Sequence, residues 1–126
     1  MTVVLDASAL LAYLQDEPGW QVIDTVLAES VMSSVNWAEV IQKSVAAEVD
    51  SDGMLDQLQV LGMKIEPFTI ANAELAGKLW KQTRQAGLSL GDRACLSLGL
   101  CLEVPVWTCD RVWATLDLSL DVRVIR

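Results

Sequence analysis

The chain has no histidine among its 126 residues. That excludes a Ser-His-Asp triad, a histidine general base and the usual histidine-bearing zinc sites. Cysteine is scarce. Cys95, Cys101 and Cys109 are odd in number and show no CxxC spacing, so they are expected as buried thiols in a reducing compartment. No apolar run is long enough to cross a bilayer. No basic region precedes a signal-type apolar stretch at the N-terminus. The expected setting is therefore cytoplasmic, with no membrane partner. Positive charge is short as well: 9 Lys and Arg against 17 Asp and Glu leave a net charge of −8. Affinity for nucleic acid comes mainly from neutralising phosphates, so this balance disfavours such a partner unless metal ions neutralise part of a site. It suits a protein partner that is basic where it docks.

Apolar residues make up 52% of the chain, which excludes a disordered segment. The length suits one domain over 1–126 with a sizeable core. Its organising stretch is Val3-Val4-Leu5-Asp6-Ala7-Ser8-Ala9-Leu10-Leu11-Ala12-Tyr13-Leu14. The apolar run of residues 3–5 reads as a strand buried on both faces, and a helix follows at once. Asp6 is then expected at the C-terminal edge of a parallel sheet, where open α/β folds place their ligands.

Further on, strand and helix patterns alternate. Helices are expected over Trp20 to Ala28, Asn36 to Glu48, Met54 to Leu61, Ile70 to Gln85, Leu90 to Leu102 and Asp110 to Thr115. In the second of these, Trp37, Ile41 and Val45 form the inward stripe, with Glu39 off it. Short strands are expected at Ser30 to Ser33, Met63 to Phe68, Val104 to Thr108 and Val122 to Ile125. The alternation implies an α/β fold, a three-layer α/β/α sandwich around a mostly parallel central sheet. Trp80 and Trp107 are expected in the core.

Three more acids sit where Asp6 sits, near the start of a helix. Asp110 follows the strand Val106-Trp107-Thr108. Asp92 heads the most apolar helix, in Leu90-Gly91-Asp92-Arg93-Ala94. Glu39 lies in the first turn after Asn36. Each can be explained as a cap. Asp is a favoured N-cap, Asn36 with Glu39 and Ser89 with Asp92 have capping-box spacing, and the helix dipole stabilises acids there regardless of chemistry. Singly, capping is the better account of each. Asp92 is the exception, because its helix has little solvated surface. With no histidine, a metal held by such residues would be a hard cation, Mg²⁺ or Mn²⁺.

Four stretches in register resemble the PIN domain, and most closely the VapC-type ribonuclease toxins of bacterial toxin–antitoxin modules. They are Val4-Leu5-Asp6-Ala7-Ser8-Ala9-Leu10-Leu11-Ala12, Asn36-Trp37-Ala38-Glu39, Leu90-Gly91-Asp92-Arg93-Ala94 and Val106-Trp107-Thr108-Cys109-Asp110-Arg111. Order, spacing and length agree over essentially the whole chain. The resemblance implies that Asp6, Glu39, Asp92 and Asp110 form a quartet that binds divalent metal and cuts RNA. It implies support from hydroxyls at Ser8 and Thr108. Cys109 and Trp107 replace commoner neighbours of the last acid and leave the quartet intact.

The residue types fit that chemistry, since phosphodiester hydrolysis needs an activated water and charge neutralisation, which a carboxylate-held metal supplies without histidine. Arg93 and Arg111 follow site acids and are candidates for substrate phosphates, although exposed surface arginines explain them equally well. Lys78, Lys81 and Arg84 read as a solvated helix face. Trp20 and Trp37 are candidates for a groove that takes an antitoxin helix, with ordinary packing as the plainer account. The resemblance, the charge of −8 and the surplus of tryptophan together imply a homodimer. They also imply a hetero-oligomer with a small, basic, DNA-binding antitoxin. Two alternatives remain: a catalytically silent PIN-like binding or co-repressor module, and an Mg²⁺-dependent phosphatase. The phosphatase ranks lower, because the position two residues after Asp6 is Ser8 and Glu39 would lack a role.

Overall fold

A computed structural model describes residues 1–126. Five strands form one sheet: β1 (Val3–Leu5), β2 (Ser30–Ser33), β3 (Lys64–Glu66), β4 (Val106–Thr108) and β5 (Val122–Val124). Every pairing is parallel and the order is β3-β2-β1-β4-β5. The α-helices are α1 (Ala7–Leu14), α2 (Trp20–Asp24), α3 (Ser34–Ala46), α4 (Met54–Val60), α5 (Ile70–Lys78), α6 (Trp80–Thr83) and α7 (Leu90–Leu102). No helix is long and apolar enough to cross a membrane.

The strands are short, three or four residues each, and their side chains enter two cores. On one face Val3, Leu5, Met32 and Trp107 pack with Leu10, Ile23, Val40 and Leu58. On the other, Val4, Val31 and Val106 pack with Leu79, Cys95, Leu96 and Trp113. Alternate residues of one strand thus enter opposite cores, the period-2 consequence of the pleat. The result is the expected sandwich, with helices on both faces of a parallel sheet.

Several elements depart from expectation. The helix begun at Trp20 stops at Asp24, and the chain turns through a 3₁₀ segment, Leu27–Glu29. Thr25 contributes, its hydroxyl donating to the Val22 carbonyl at 2.6 Å. The expected helix from Ile70 to Gln85 is broken at Leu79 and ends in a 3₁₀ turn over Arg84–Ala86. Trp80 is not core: it is 51% exposed, with the Arg84 guanidinium 5.2 Å from its ring centroid. In α3 the buried stripe is Asn36, Val40 and Ser44, while Val45 is 64% exposed. Polar residues can hold that inward face because they are bonded, Ser44 to the Val40 carbonyl at 2.9 Å and Asn36 as described below. Of the thiols only Cys95 is buried; Cys101 is exposed and Cys109 half-buried, and all three are free.

Parallel pairing puts the C-terminal ends of all five strands on one edge. The order 3-2-1-4-5 reverses direction between β1 and β4, which opens a crevice there. Asp6 leaves β1 and Asp110 follows β4 by two residues, so both acids flank that crevice.

Candidate active site

A cleft of about 400 Å³ lies over this edge, and Asp6, Glu39, Asp92 and Asp110 all line it. Asp6 is the deepest, with 5% exposure. Its Oδ1 accepts from the Ala9 amide at 2.8 Å and the Ser8 hydroxyl at 2.7 Å, and its Oδ2 accepts from Thr108 Oγ1 at 2.5 Å. Burial pushes its pKa from the usual 3.8 up to about 6. The bonds from Thr108, Ala9 and Ser8 oppose that shift, and the charge of Asp92 adds to it.

Thr108 is fully buried and receives the Asp110 amide at 3.0 Å while donating to Asp6. Ser8 Oγ receives the Cys109 amide at 3.0 Å. The two hydroxyls thereby tie the turn after β4 to the turn after β1. Asp110 is exposed at the rim, where its Oδ1 accepts from the Val112 amide at 3.0 Å.

Glu39 is held differently. Ser33, not Asn36, caps α3. Asn36 is 1% exposed, and its Nδ2 donates to Glu39 Oε1 at 2.7 Å and to the Gly91 carbonyl at 3.0 Å. Both partners are acceptors, so the amide can be oriented only one way. Asn36 Oδ1 is left buried without a partner. The carboxylate also presses on Gly91, where a β-carbon would stand 2.7 Å from Oε1 and 2.9 Å from Oε2. Asp92, the next residue, is the N3 member of a true capping box: its Oδ2 accepts from the Ser89 amide at 2.9 Å, and its own amide donates to Ser89 Oγ at 3.1 Å.

Capping and clustering are therefore not alternatives here. Asp6 and Asp92 each bond the N-terminus of an α-helix, Asp110 bonds that of a 3₁₀ segment, Arg111–Thr115, which stands where a helix from Asp110 is expected, and all three face the same cleft. The helix dipoles offset part of the cost of gathering their charges. None of the four is in an ion pair; the pairs in the chain are Met1 ammonium with Glu29 and Arg126 with Glu17.

The arginines adjacent to the site acids do not enter the cleft. Arg93 turns back to α5, its Nη1 donating to the Ala76 carbonyl at 2.8 Å, and Arg111 is exposed with its Nε on the Arg126 carbonyl at 3.3 Å. In α7 the residue after Asp92 points about 100° away from it around the helix, which is why adjacency misleads for Arg93. The lining cations are Lys43 and Arg126, and Gln15, Glu17 and Asn36 complete the polar wall. Trp37 is half-buried and packs against the core on the α1 side of the sheet, and Trp20 is also half-buried.

Hard oxygen donors without a cationic partner, beside an orphaned amide oxygen, suit a divalent cation. As they stand, no three acidic or cysteine side chains are close enough to hold one ion directly.

The fold has close relatives among solved structures. A DNA-bound VapBC from Salmonella typhimurium superposes with a TM-score of 0.73 at 10% identity, covering 98% of this chain and 97% of that one. FitAcB from Neisseria gonorrhoeae gives 0.70 at 16% identity, covering 96% of each chain. A toxin–antitoxin complex from Klebsiella pneumoniae gives 0.69 at 15% identity, with 90% and 91% covered. At these identities the likeness is one of fold. No match is found among curated protein sequences. The family model of the PIN domain matches residues 3–117, spanning β1 and all four acids; the chain belongs to the PIN domain family.

Proposed function

We propose that the chain is a divalent-metal-dependent endoribonuclease and the toxin of a toxin–antitoxin pair. The observation that carries this reading is the convergence of Asp6, Glu39, Asp92 and Asp110 on one cleft with no cation paired to any of them. Gathered carboxylates repel one another, and the charge of Asp92 adds to the rise in the Asp6 pKa. A fold that keeps them together has a use for the negative potential.

In this reading the quartet holds Mg²⁺ or Mn²⁺, in part through water. The bound cation supplies an activated water and stabilises charge on the phosphoryl oxygens. The chain's own residues set the geometry. Thr108, Ser8 and the Ala9 amide fix both oxygens of Asp6. Asn36 fixes Glu39 against the start of α7. Ser89 occupies one oxygen of Asp92, so the capped carboxylate cannot swing away. Asp110, exposed at the rim, is left to meet solvent and substrate.

The partner proposed is a small, basic, DNA-binding antitoxin, with a homodimer of this chain as the unit it neutralises. Support comes from fold neighbours described as VapBC and toxin–antitoxin complexes, two of them DNA-bound, together with the net charge of −8. The competing reading is a silent PIN-like binding module. It draws on the absence of any three acids at direct ligating distance.

Incubation of single-stranded RNA with purified protein separates the two. Cleavage in Mg²⁺ or Mn²⁺ that stops in EDTA supports the nuclease. No cleavage with either ion, or full cleavage in EDTA, rejects it.

A further inference from the structure

Of the nine Lys and Arg residues, only Lys43 and Arg126 line the acidic cleft. Lys43 lies on α3, one turn beyond Glu39, and so on the same face of the helix. It is exposed, and its ammonium makes neither an ion pair nor a hydrogen bond. Arg126 follows β5. Its Nη1 donates to the Pro18 carbonyl at 3.3 Å and stands 4.0 Å from the Glu17 carboxylate, both weak contacts that leave most of the guanidinium unspent.

Their places in the fold differ in a useful way. β2, which leads into α3, lies on one side of β1; β4 and then β5 lie on the other. Lys43 and Arg126 therefore approach the carboxylates from opposite flanks of the strand that carries Asp6. Five acids line the same cleft, Asp6, Glu17, Glu39, Asp92 and Asp110. A polyanion is repelled by such a surface except at these two points.

We propose that Lys43 and Arg126 are positioning residues that hold the backbone phosphates on either side of the one at the carboxylates. The ligand class is an extended single-stranded polynucleotide, crossing the cleft from the α3 side to the β5 side. This rests on the nuclease reading of the same site and adds to it the path of the strand. Contacts to phosphate carry no sequence information, so these residues set register and not base preference.

The test is binding of a fluorescein-labelled single-stranded decaribonucleotide, followed by anisotropy in Mg²⁺ over a range of salt, in an Asp92→Asn background that spares the RNA. Lys43→Ala and Arg126→Ala should each weaken binding roughly three- to fivefold and reduce the salt slope by about 0.7. Lys81→Ala, which removes a charge outside the cleft, should do neither. In the otherwise wild-type enzyme both cleft variants should raise KM and leave kcat within about twofold, as expected for loss of uniform binding. Unchanged binding in both cleft variants, or an equal loss in Lys81→Ala, overturns the assignment while RNA cleavage by wild type leaves the nuclease reading standing. Failure of wild type to cleave or bind RNA removes both.

Discussion

The carboxylate of Glu39 rests on Gly91 with no room between them for a methyl group. The contact joins α3 to the first turn of α7. Gly91→Ala should therefore displace Glu39, the far end of a flexible side chain, and leave the backbone in place. Alanine also favours a helix over glycine by up to about 1 kcal/mol. The expected outcome is a protein as stable as wild type, or slightly more so, with RNA cleavage reduced at least tenfold. Melting temperature and cleavage rate are measured on one preparation. Wild-type activity in Gly91→Ala would show that the position of Glu39 does not matter.

Asp6 makes stability depend on pH with a defined sign. Its folded pKa of about 6 exceeds the usual 3.8, so the folded state favours the protonated form. The stabilisation is complete below pH 3.8, is lost as pH rises through about 6, and changes little above that. A shift of this size corresponds to on the order of 3 kcal/mol. Asp6→Asn cannot titrate. In EDTA, the stability of Asp6→Asn relative to wild type should rise between pH 4 and pH 7. Denaturant melts at four pH values give that difference, and a flat difference would contradict the burial argument.

Thr108 joins two acids, donating to Asp6 and accepting from the amide of Asp110. Valine has the same shape without the hydroxyl. Thr108→Val leaves a buried carboxylate and a backbone amide short of partners, at about 1–3 kcal/mol for each unsatisfied group. It should also raise the pKa of Asp6 further, since the lost bond favoured the ionised form. Thr108→Ser keeps the hydroxyl and should restore activity to within a fewfold of wild type. Loss of activity in both variants alike would assign Thr108 to packing alone.

Much of this was legible from the chain itself. Val3-Val4-Leu5-Asp6 shows a strand buried on two faces that ends in a carboxylate, and the parallel sheet confirms that placement. Asp110 is legible in the same way after Val106-Trp107-Thr108. What misled was side-chain direction. Trp37 and Val45 suggest the inward stripe of α3 because they are apolar, yet the buried stripe begins at Asn36 and ends at Ser44. Asn36 is worth burying because it meets Glu39 and Gly91, and Gly91 lies 55 residues further along the chain. Arg93 and Arg111 are suggested by adjacency to acids, whereas the cations at the cleft come from one turn past Glu39 and from the residues that follow β5. The spacing of Lys43 from Glu39 is a local signal, one helical turn, whereas the arrival of Arg126 is a property of topology and has no local signature.

The last prediction concerns Asp92, whose carboxylate is both a cap and a member of the cleft. As a cap it accepts from the Ser89 amide through Oδ2 alone. An asparagine can present a carbonyl oxygen to the same amide, so Asp92→Asn should keep the capping box at little cost. As a member of the quartet it also repels Asp6, whose pKa the charge of Asp92 helps to raise. Removing that charge should relieve the metal-free protein. In EDTA, Asp92→Asn is therefore expected to melt at or above the wild-type temperature. With Mn²⁺ the order should reverse. A ligand at 100 times its Kd stabilises wild type by about 2.7 kcal/mol through mass action, and a variant with weakened affinity gains correspondingly less. Cleavage should be lost. Four melts decide the matter, each protein with EDTA and with Mn²⁺. If the ion raises both melting temperatures equally, Asp92 is a cap and nothing more, and the metal is held elsewhere.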